Sequence, residues 1–206
     1  MKKIILICLM LLMITGCSIV RIDTKSIDNI LKVILTKEKN LFNQVGQGYK
    51  YYLPGGVSYI DSDDLNDILY SNGVYYYLYV DVVSYYYNSK TEYKQNKNVY
   101  YSKVLSKNDG FKYDGYIEIN EKGNLYYLEF NYNYAKIEAI VNKSELNNVV
   151  LNASYILSTI KYNHDIVELM LEDDYFTNKT GKYDNYNTKG TSEKFVLEKE
   201  NEIMEG

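Results

Sequence analysis

Residues 113–141, YDGYIEINEKGNLYYLEFNYNYAKIEAIV, decide the fold of this chain because apolar and polar residues alternate along them. A period of two places successive side chains on opposite faces of a β-strand. The pattern predicts strands over 113–120, 125–134 and 135–141, with a hairpin loop at 121–124. Another strand over 99–105 precedes them, so we expect four successive strands to form an antiparallel meander.

The strongest strand pattern lies upstream at 74–87, directly after the turn dipeptide Asn72-Gly73. Its even positions are mainly aliphatic and should face the core, whereas tyrosines dominate its odd positions. Fourteen residues exceed the usual strand length of about 3–10, so we expect a bend or bulge, with Ser84 as one candidate position. The odd positions form a candidate binding face of Tyr75, Tyr77, Tyr79, Asp81, Tyr85 and Tyr87.

Two longer segments carry apolar residues at helical spacing. One begins at Thr24 or Ser26 and runs to about residue 43. The other begins at Asn142, which forms a capping-box pattern with Glu145, and ends near residue 162. The remaining elements are less regular: short strands at 49–53 and 57–60, a short helix over 64–70, and an ambiguous segment at 165–173.

The order of these elements predicts an α+β fold, because each one-sided helix can cover one face of the sheet. We expect an antiparallel meander sheet with the N-terminal helix and the later helix packed on one face. This layout is loosely similar to that of PsbP-like and LpqN-like lipoproteins. The single domain is predicted to span 25–174, and the polar residues 175–206 are predicted to form a flexible tail.

The first residues, MKKIILICLMLLMITGC, have the layout of a secretory signal peptide. Two lysines precede an apolar run at 4–14, which is shorter than the ~20 residues that a membrane-spanning helix needs. The ending Ile14-Thr15-Gly16-Cys17 resembles the lipobox of bacterial lipoproteins. This resemblance implies that the Cys17 sulfur receives a diacylglycerol and that the chain is cut between Gly16 and Cys17.

Maturation at this point predicts a signal peptide at 1–16 and a lipidated tether at 17–24. Two lipid chains should anchor the protein stably, because one chain alone binds a membrane only marginally. The use of 22 Lys against one Arg, together with 22 Asn and 26 Tyr, suggests a low-GC Gram-positive source. The expected location is therefore the outer face of the plasma membrane.

Several classes of function are poorly supported by the sequence. Loss of Lys2 and Lys3 leaves 21 basic and 27 acidic residues, a net charge of −6, which disfavours binding to nucleic acid. Cys8 leaves with the signal peptide, and His164 is the single histidine, so thiol catalysis and a zinc site are not expected. No Gly-rich phosphate loop is present, and no cofactor is predicted.

A calcium site is also not expected, although four acidic residues cluster within seven positions. An EF-hand loop beginning at Asp61 would place Leu65, Asn66 and Asn72 where the motif needs an acidic or amide residue, glycine and glutamate. Helix capping is the simpler interpretation of this cluster, which comprises Asp61, Asp63, Asp64 and Asp67.

Three hypotheses about function remain. The first is a non-enzymatic binding or assembly module of the cell envelope, held by Cys17, whose partner is another envelope protein. The second is a module that binds wall glycans through the candidate tyrosine face, although packing of these rings beneath a helix or as half-buried sheet residues is the favoured interpretation. The third is a hydrolase in which Asp81 meets Glu118 or Glu129.

The lipid anchor is directly testable. We expect mass spectrometry of the membrane fraction to find an N-terminal Cys17 that carries a diacylglycerol, because the charge, length and final motif of the leader agree. Recovery of the unlipidated chain from the medium would contradict this prediction.

Overall fold

The computed structural model describes residues 24–63, 65–89 and 92–172. The predicted lipobox at 14–17, nearly all of the tether and the tail at 175–206 lie outside these residues. The helices are α1 (Ile27–Leu35), α2 (Val82–Tyr86), α3 (Leu146–Thr159) and α4 (His164–Glu172). The strands are β1 (Gln44–Val45), β2 (Tyr49–Tyr51), β3 (Ser58–Asp63), β4 (Asn66–Ser71), β5 (Val74–Val80), β6 (Tyr101–Leu105), β7 (Gly115–Lys122), β8 (Leu125–Tyr132), β9 (Ala135–Asn142) and β10 (Lys161–Tyr162).

Seven strands form the main sheet in the order β3-β4-β5-β9-β8-β7-β6. All of its pairings are antiparallel, so the sheet consists of two meanders, β3–β5 and β6–β9, joined where β5 pairs with β9. The predicted α+β class and antiparallel meander are therefore confirmed. No described helix is long and apolar enough to cross a membrane.

One face of this sheet carries the aliphatic side chains and packs against α1 and α3. The register places Leu78 beside Ile137, Ile137 beside Phe130, and Phe130 beside Ile117, and all four are fully buried. On the same face, the Tyr132 hydroxyl donates to the Leu35 carbonyl of α1 at 3.0 Å. Asn152 of α3 donates to the Tyr76 hydroxyl at 3.1 Å. Both helices thus cover one face, as predicted.

A second, three-stranded sheet has the order β1-β2-β10 and is fastened to the main sheet through a buried carboxylate. The hydroxyls of Tyr49 and Tyr51 on β2 donate to Asp67 on β4, at 3.1 and 2.7 Å. Burial raises the pKa of Asp67, and the two phenols partly offset this effect. Asp67 is thus a structural link between the sheets.

The predicted helix over 64–70 is wrong, because most of this segment forms β4. Its side chains alternate between buried and half-buried, and each of its residues from Asn66 to Ser71 pairs with β5. Of the acidic residues that suggested a helix cap, Asp61 and Asp63 lie along β3 and Asp67 is buried, while position 64 is outside the described residues. Pairing with the strong neighbouring strand overrides the local capping signal.

The predicted strand over 74–87 is correct only as far as Val80. Asp81 then accepts a hydrogen bond from the Ser84 amide at 2.8 Å and caps the short helix α2. The expected bend therefore occurs at Asp81 rather than at Ser84. The bend occurs there because the Asp81 carboxylate can accept a hydrogen bond from a backbone amide two or three residues later. This local bond competes with strand pairing.

Both predicted long helices are shorter than expected. The first ends at Leu35, and the second begins at Leu146 after Glu145, which makes no side-chain capping bond. The Glu145 amide instead donates to the Asn142 carbonyl at 3.1 Å, so the predicted capping box does not form. The ambiguous segment at 165–173 is helical as far as Glu172, within α4.

Gly115 marks a point where β7 and β8 approach too closely for a side chain. A Cβ atom there would lie 2.2 Å from the Asn131 carbonyl oxygen. We expect Gly115→Ala to lower the free energy of unfolding by about 1–3 kcal/mol, as overpacking does, in urea denaturation. Gly55→Ala is the matched control, since nothing lies within 4 Å of its added Cβ. Equal stability of the two variants would contradict the prediction.

Candidate functional site

A pocket of about 490 Å³ opens at one end of the main sheet. We call it the sheet-end pocket. It lies between the end of β6, the start of β7, the turn that joins β8 to β9, and the segment that follows α2. Its lining consists of Asn88, Ser89, Tyr93, Val104, Leu105, Ser106, Lys107, Asn108, Tyr113, Asp114, Gly115, Asn131, Asn133 and Tyr134. Its size falls within the ~300–1,000 Å³ typical of small-molecule sites.

The backbone around this pocket is strained. Four described residues other than glycine have positive φ, and three of them line the pocket: Asn88 (49°), Asn133 (55°) and Tyr134 (57°). Asparagine tolerates this conformation, but a bulky tyrosine rarely adopts it. At Tyr134 such strain costs about 1–3 kcal/mol, and backbone strain is concentrated at functional sites in proteins.

Hydrogen bonds from three neighbouring elements hold the β8–β9 turn in place. The Tyr162 hydroxyl donates to the paired carbonyls of Asn133 and Tyr134, at 2.8 and 3.0 Å. The Asn133 side chain donates to the Ile160 carbonyl at 2.9 Å. The Asp81 amide also donates to the Tyr134 carbonyl at 2.9 Å. The rim of the pocket is therefore rigidly built from three separate elements.

Asn131 and Asn133 are the two most buried polar residues of the lining. The Asn131 side chain projects from β8 on the face opposite α1 and α3, and the residue is only 7% exposed. We find no hydrogen bond to its side-chain amide from any described residue. The amide is not among the fully buried, unpartnered side-chain atoms, so it faces the pocket. Asn131 therefore retains two donors and one acceptor for a bound molecule.

The pocket is nearly neutral in charge. Among its lining residues, only Lys107 and Asp114 carry ordinary charged side chains, and they have opposite signs. The Asp114 carboxylate accepts a hydrogen bond from the Lys107 amide at 2.9 Å, so it is used partly to hold the turn after β6. The rest of the polar lining consists of amides and hydroxyls.

Three tyrosine rings contribute apolar surface to this polar lining. Tyr93 stacks on Tyr116 with ring centroids 4.0 Å apart and an interplanar angle of 5°. Burial and the Glu118 carboxylate raise the pKa of Tyr93 to about 12, so its hydroxyl stays neutral. The Tyr134 hydroxyl donates to the Asn88 side chain at 2.5 Å and joins two sides of the rim. Tyr113 is the third ring, and it is half-buried.

A row of carboxylates lies beside the pocket on the face opposite α1 and α3. Glu118, Glu129 and Glu138 occupy directly opposed positions on β7, β8 and β9. The Lys136 ammonium pairs with Glu138 at 2.9 Å, and both residues are buried. Burial raises the pKa of Glu129, whereas a hydrogen bond from the Tyr116 hydroxyl lowers it. Across the described residues, no group of three or more acidic, His or Cys side chains could hold a metal ion.

The predicted tyrosine face is divided between different environments. Tyr75, Tyr77 and Tyr79 share the sheet face that carries the carboxylate row, but Tyr77 is only 5% exposed. Tyr85 stacks on Tyr162 with centroids 4.0 Å apart, and Tyr87 is 66% exposed on the surface beyond α2. Because β5 ends at Val80, these six positions do not form one continuous row.

Asp81 does not meet the carboxylates that were considered as its partners. It caps α2, and burial raises its pKa. Asp81 follows the end of β5 and is four residues beyond Tyr77 along the chain. Glu129 lies two strands away from Tyr77 across the sheet. The carboxylates that do adjoin one another are those of the row at Glu118, Glu129 and Glu138. His164 stacks on Tyr86 at 5.2 Å, outside the pocket lining.

The sequence interpretation missed every residue of the sheet-end pocket as a site. One signal was available at Asn133-Tyr134, because two strands that pair as a hairpin need a turn between them. Asparagine in such a turn indicates positive φ. No signal singled out Asn131, whose importance comes from burial without a partner.

No family model, curated protein or solved structure matches this chain. The site is therefore interpreted from its own geometry and chemistry.

The raised pKa of Glu129 predicts a pH-dependent stability. A carboxyl whose pKa is higher in the folded state than in the unfolded chain destabilises the fold as pH rises above its ordinary value of about 4.5. We expect Glu129→Gln to raise the free energy of unfolding at pH 7 relative to the parent protein, and to do so less at pH 4. Glutamine retains the oxygen that accepts from Tyr116.

Urea denaturation at pH 4, 5.5 and 7 measures this difference. Glu92→Gln, at an exposed position, is the control. A Glu129→Gln effect of the same size at all three pH values would show that ionisation of Glu129 has no part in it.

Proposed function

We propose that this protein is a lipid-anchored, non-enzymatic binding module on the outer face of the plasma membrane, and that the sheet-end pocket is its binding site. The observation that carries this proposal is the unpartnered Asn131 amide within a rigid, polar and aromatic pocket. The anchor rests on the lipobox-like residues 14–17 of the sequence. The net negative charge of the chain disfavours nucleic acid as the ligand, so we propose a ligand of the cell envelope.

The position of the pocket suits a protein held by its N-terminus. The Thr24 carbonyl accepts a hydrogen bond from Asn147 at 2.8 Å, at the start of α3. This point adjoins the carboxyl end of β9 at Asn142, whereas the strained turn of the pocket precedes Ala135 at its other end. Eight residues of strand separate the two ends by roughly 25 Å. An anchor at Cys17 would therefore leave the pocket at the end remote from the membrane.

The chemistry of the lining favours binding over catalysis. General acid–base or nucleophilic catalysis needs a group whose proton affinity is matched to the reaction. Among the residues that line the pocket, Asp114 is partly occupied by the Lys107 amide, and no histidine or cysteine is present. The carboxylate row lies outside this lining, and Glu138 is fully buried. Amides and phenols instead provide orientation and affinity.

Binding through the 75–79 tyrosines has weaker support than binding at the pocket. A ring that stacks on a ligand must offer an open face, and Tyr77 at the centre of that row is 5% exposed. The pocket rings of Tyr93, Tyr113 and Tyr134 are half-buried around a cavity, which suits a partly enclosed ligand.

Photochemical cross-linking in intact cells tests the binding site. Asn108→Cys at the pocket and Asn124→Cys in the β7–β8 turn are both exposed positions and would each carry a thiol-linked benzophenone. We expect a cross-linked adduct from Asn108→Cys and none of the same mass from Asn124→Cys, because the second site is at the opposite end of β8. The absence of any adduct from Asn108→Cys would overturn the proposed function.

Fluorescence quenching tests the orientation separately. The same two variants, carrying an environment-sensitive dye, are placed in vesicles that contain a headgroup-linked quencher. We expect stronger quenching at Asn124→Cys, because that turn lies at the end of the sheet where Thr24 enters. Stronger quenching at Asn108→Cys would show that the pocket faces the membrane.

A further inference from the structure

We infer that the sheet-end pocket binds the end of a neutral oligosaccharide, through Asn131 at its base and the tyrosine rings at its walls. This inference rests on the proposed function and names the chemical class of its ligand. Three observations support it. The lining consists mainly of amides and hydroxyls, the Asn131 amide has no partner that we find in the described chain, and the two charged lining residues have opposite signs.

The hydrogen-bonding groups of the pocket match hydroxyl and amide groups on a ligand. Each asparagine side chain offers both donors and an acceptor, as each sugar hydroxyl does. Four asparagines and two serines contribute to the lining. Asn88 and Asn133 are engaged by Tyr134 and Ile160 and help to build the rim. Asn131 and the exposed Asn108 have side-chain amides for which we find no partner in the described chain.

Asn131 is the specificity-determining residue in this arrangement. The residue is largely buried on β8, where its opposed neighbours are Tyr116 and Lys136, and its amide faces the pocket. A ligand without hydrogen-bonding groups would leave this amide unsatisfied, which is unfavourable in a buried site. A ligand with adjacent donors and acceptors satisfies it. Apolar ligands are therefore disfavoured.

The aromatic walls complement the ring faces of a sugar. Tyrosine offers a flat apolar surface together with a polar tip, at low cost in side-chain entropy. The stacking of Tyr93 on Tyr116 fixes its orientation, and the strained backbone of Tyr134 fixes the position of the second ring. Sugars combine C–H faces with peripheral hydroxyls, so they can use both the rings and the asparagines.

Charged ligands and extended peptides fit the pocket less well. An anion would meet Lys107 together with Asp114, whose charges oppose each other. A peptide that added to the edge of β6 would have to displace the preceding segment, because Gln95 donates to the Ser102 carbonyl at 2.8 Å. The Ser102 hydroxyl also donates to the Asn96 carbonyl. These contacts occupy the edge beside the pocket.

Isothermal titration calorimetry tests the ligand class directly. The lipidated protein, in nanodiscs, is titrated with chitotetraose, maltotetraose, tetraalanine and glycerol phosphate. We expect saturable binding of at least one of the two neutral sugars and none of the peptide or the phosphate. Binding of only tetraalanine or glycerol phosphate, or of no probe, would overturn the inference.

Two pocket variants connect binding to the named residues. Asn131→Leu keeps the size of the side chain and removes its hydrogen-bonding groups, so we expect sugar affinity to fall by about tenfold or more while the unliganded protein keeps its stability. Tyr134→Gly removes the ring and suits the positive φ, so it too should fold and lose affinity. Asn120→Leu, on the same sheet face outside the lining, is the control and should bind as the parent does.

The outcomes separate this inference from the proposed function. Sugar binding that survives in both pocket variants would place the sugar elsewhere and overturn the inference. An adduct from Asn108→Cys in cells, together with no sugar binding, would uphold the binding module and reject the carbohydrate ligand. Loss of both the adduct and the titration signal would reject both.

Discussion

The pairing of β5 with β9 holds the main sheet together. It joins two meanders that lie far apart in the chain, through the four residue pairs from Tyr77↔Glu138 to Val80↔Ala135. Closing so long a loop is costly in chain entropy, so the junction needs the apolar pair Leu78↔Ile137 beneath the helices. The same ladder continues past the strands, where the Asp81 amide donates to the Tyr134 carbonyl. The strained turn of the sheet-end pocket thus begins where this pairing ends.

The register of the strands also gives the two faces of the main sheet different chemistry. Once the aliphatic positions of β5, β8 and β9 face α1 and α3, their polar positions must all lie on the other side. Three glutamates and a lysine are thereby brought into adjacent positions that no local pattern would assemble. The buried Lys136–Glu138 pair and the raised pKa of Glu129 are consequences of that register. Such buried charges contribute little net stability and carry a desolvation cost.

The pocket combines rigidity with unsatisfied hydrogen-bonding capacity. The positive φ angles of Asn133 and Tyr134 are maintained by contacts from β10, the end of α3 and the end of β5. A preorganised rim of this kind reduces the entropy that a ligand must lose on binding. Asn131 contributes the hydrogen-bonding capacity, because we find no partner for its side-chain amide within the described chain. Together these features suit selective binding of a polar ligand better than they suit catalysis.

The α+β class, the antiparallel meander and the two covering helices could be predicted from the sequence, because periods of 2.0 and 3.6 are local properties of the chain. The sequence also indicated the hairpin at Asn72-Gly73, whose residues both adopt positive φ. It did not reveal that 66–71 is a strand, since pairing with β5 outweighs the acidic capping signal there. The site itself could not be predicted before the strands were assembled. The pocket depends on which strand ends meet, and Asn131 is distinctive through burial and the lack of a partner, which are properties of the folded chain and not of its sequence pattern.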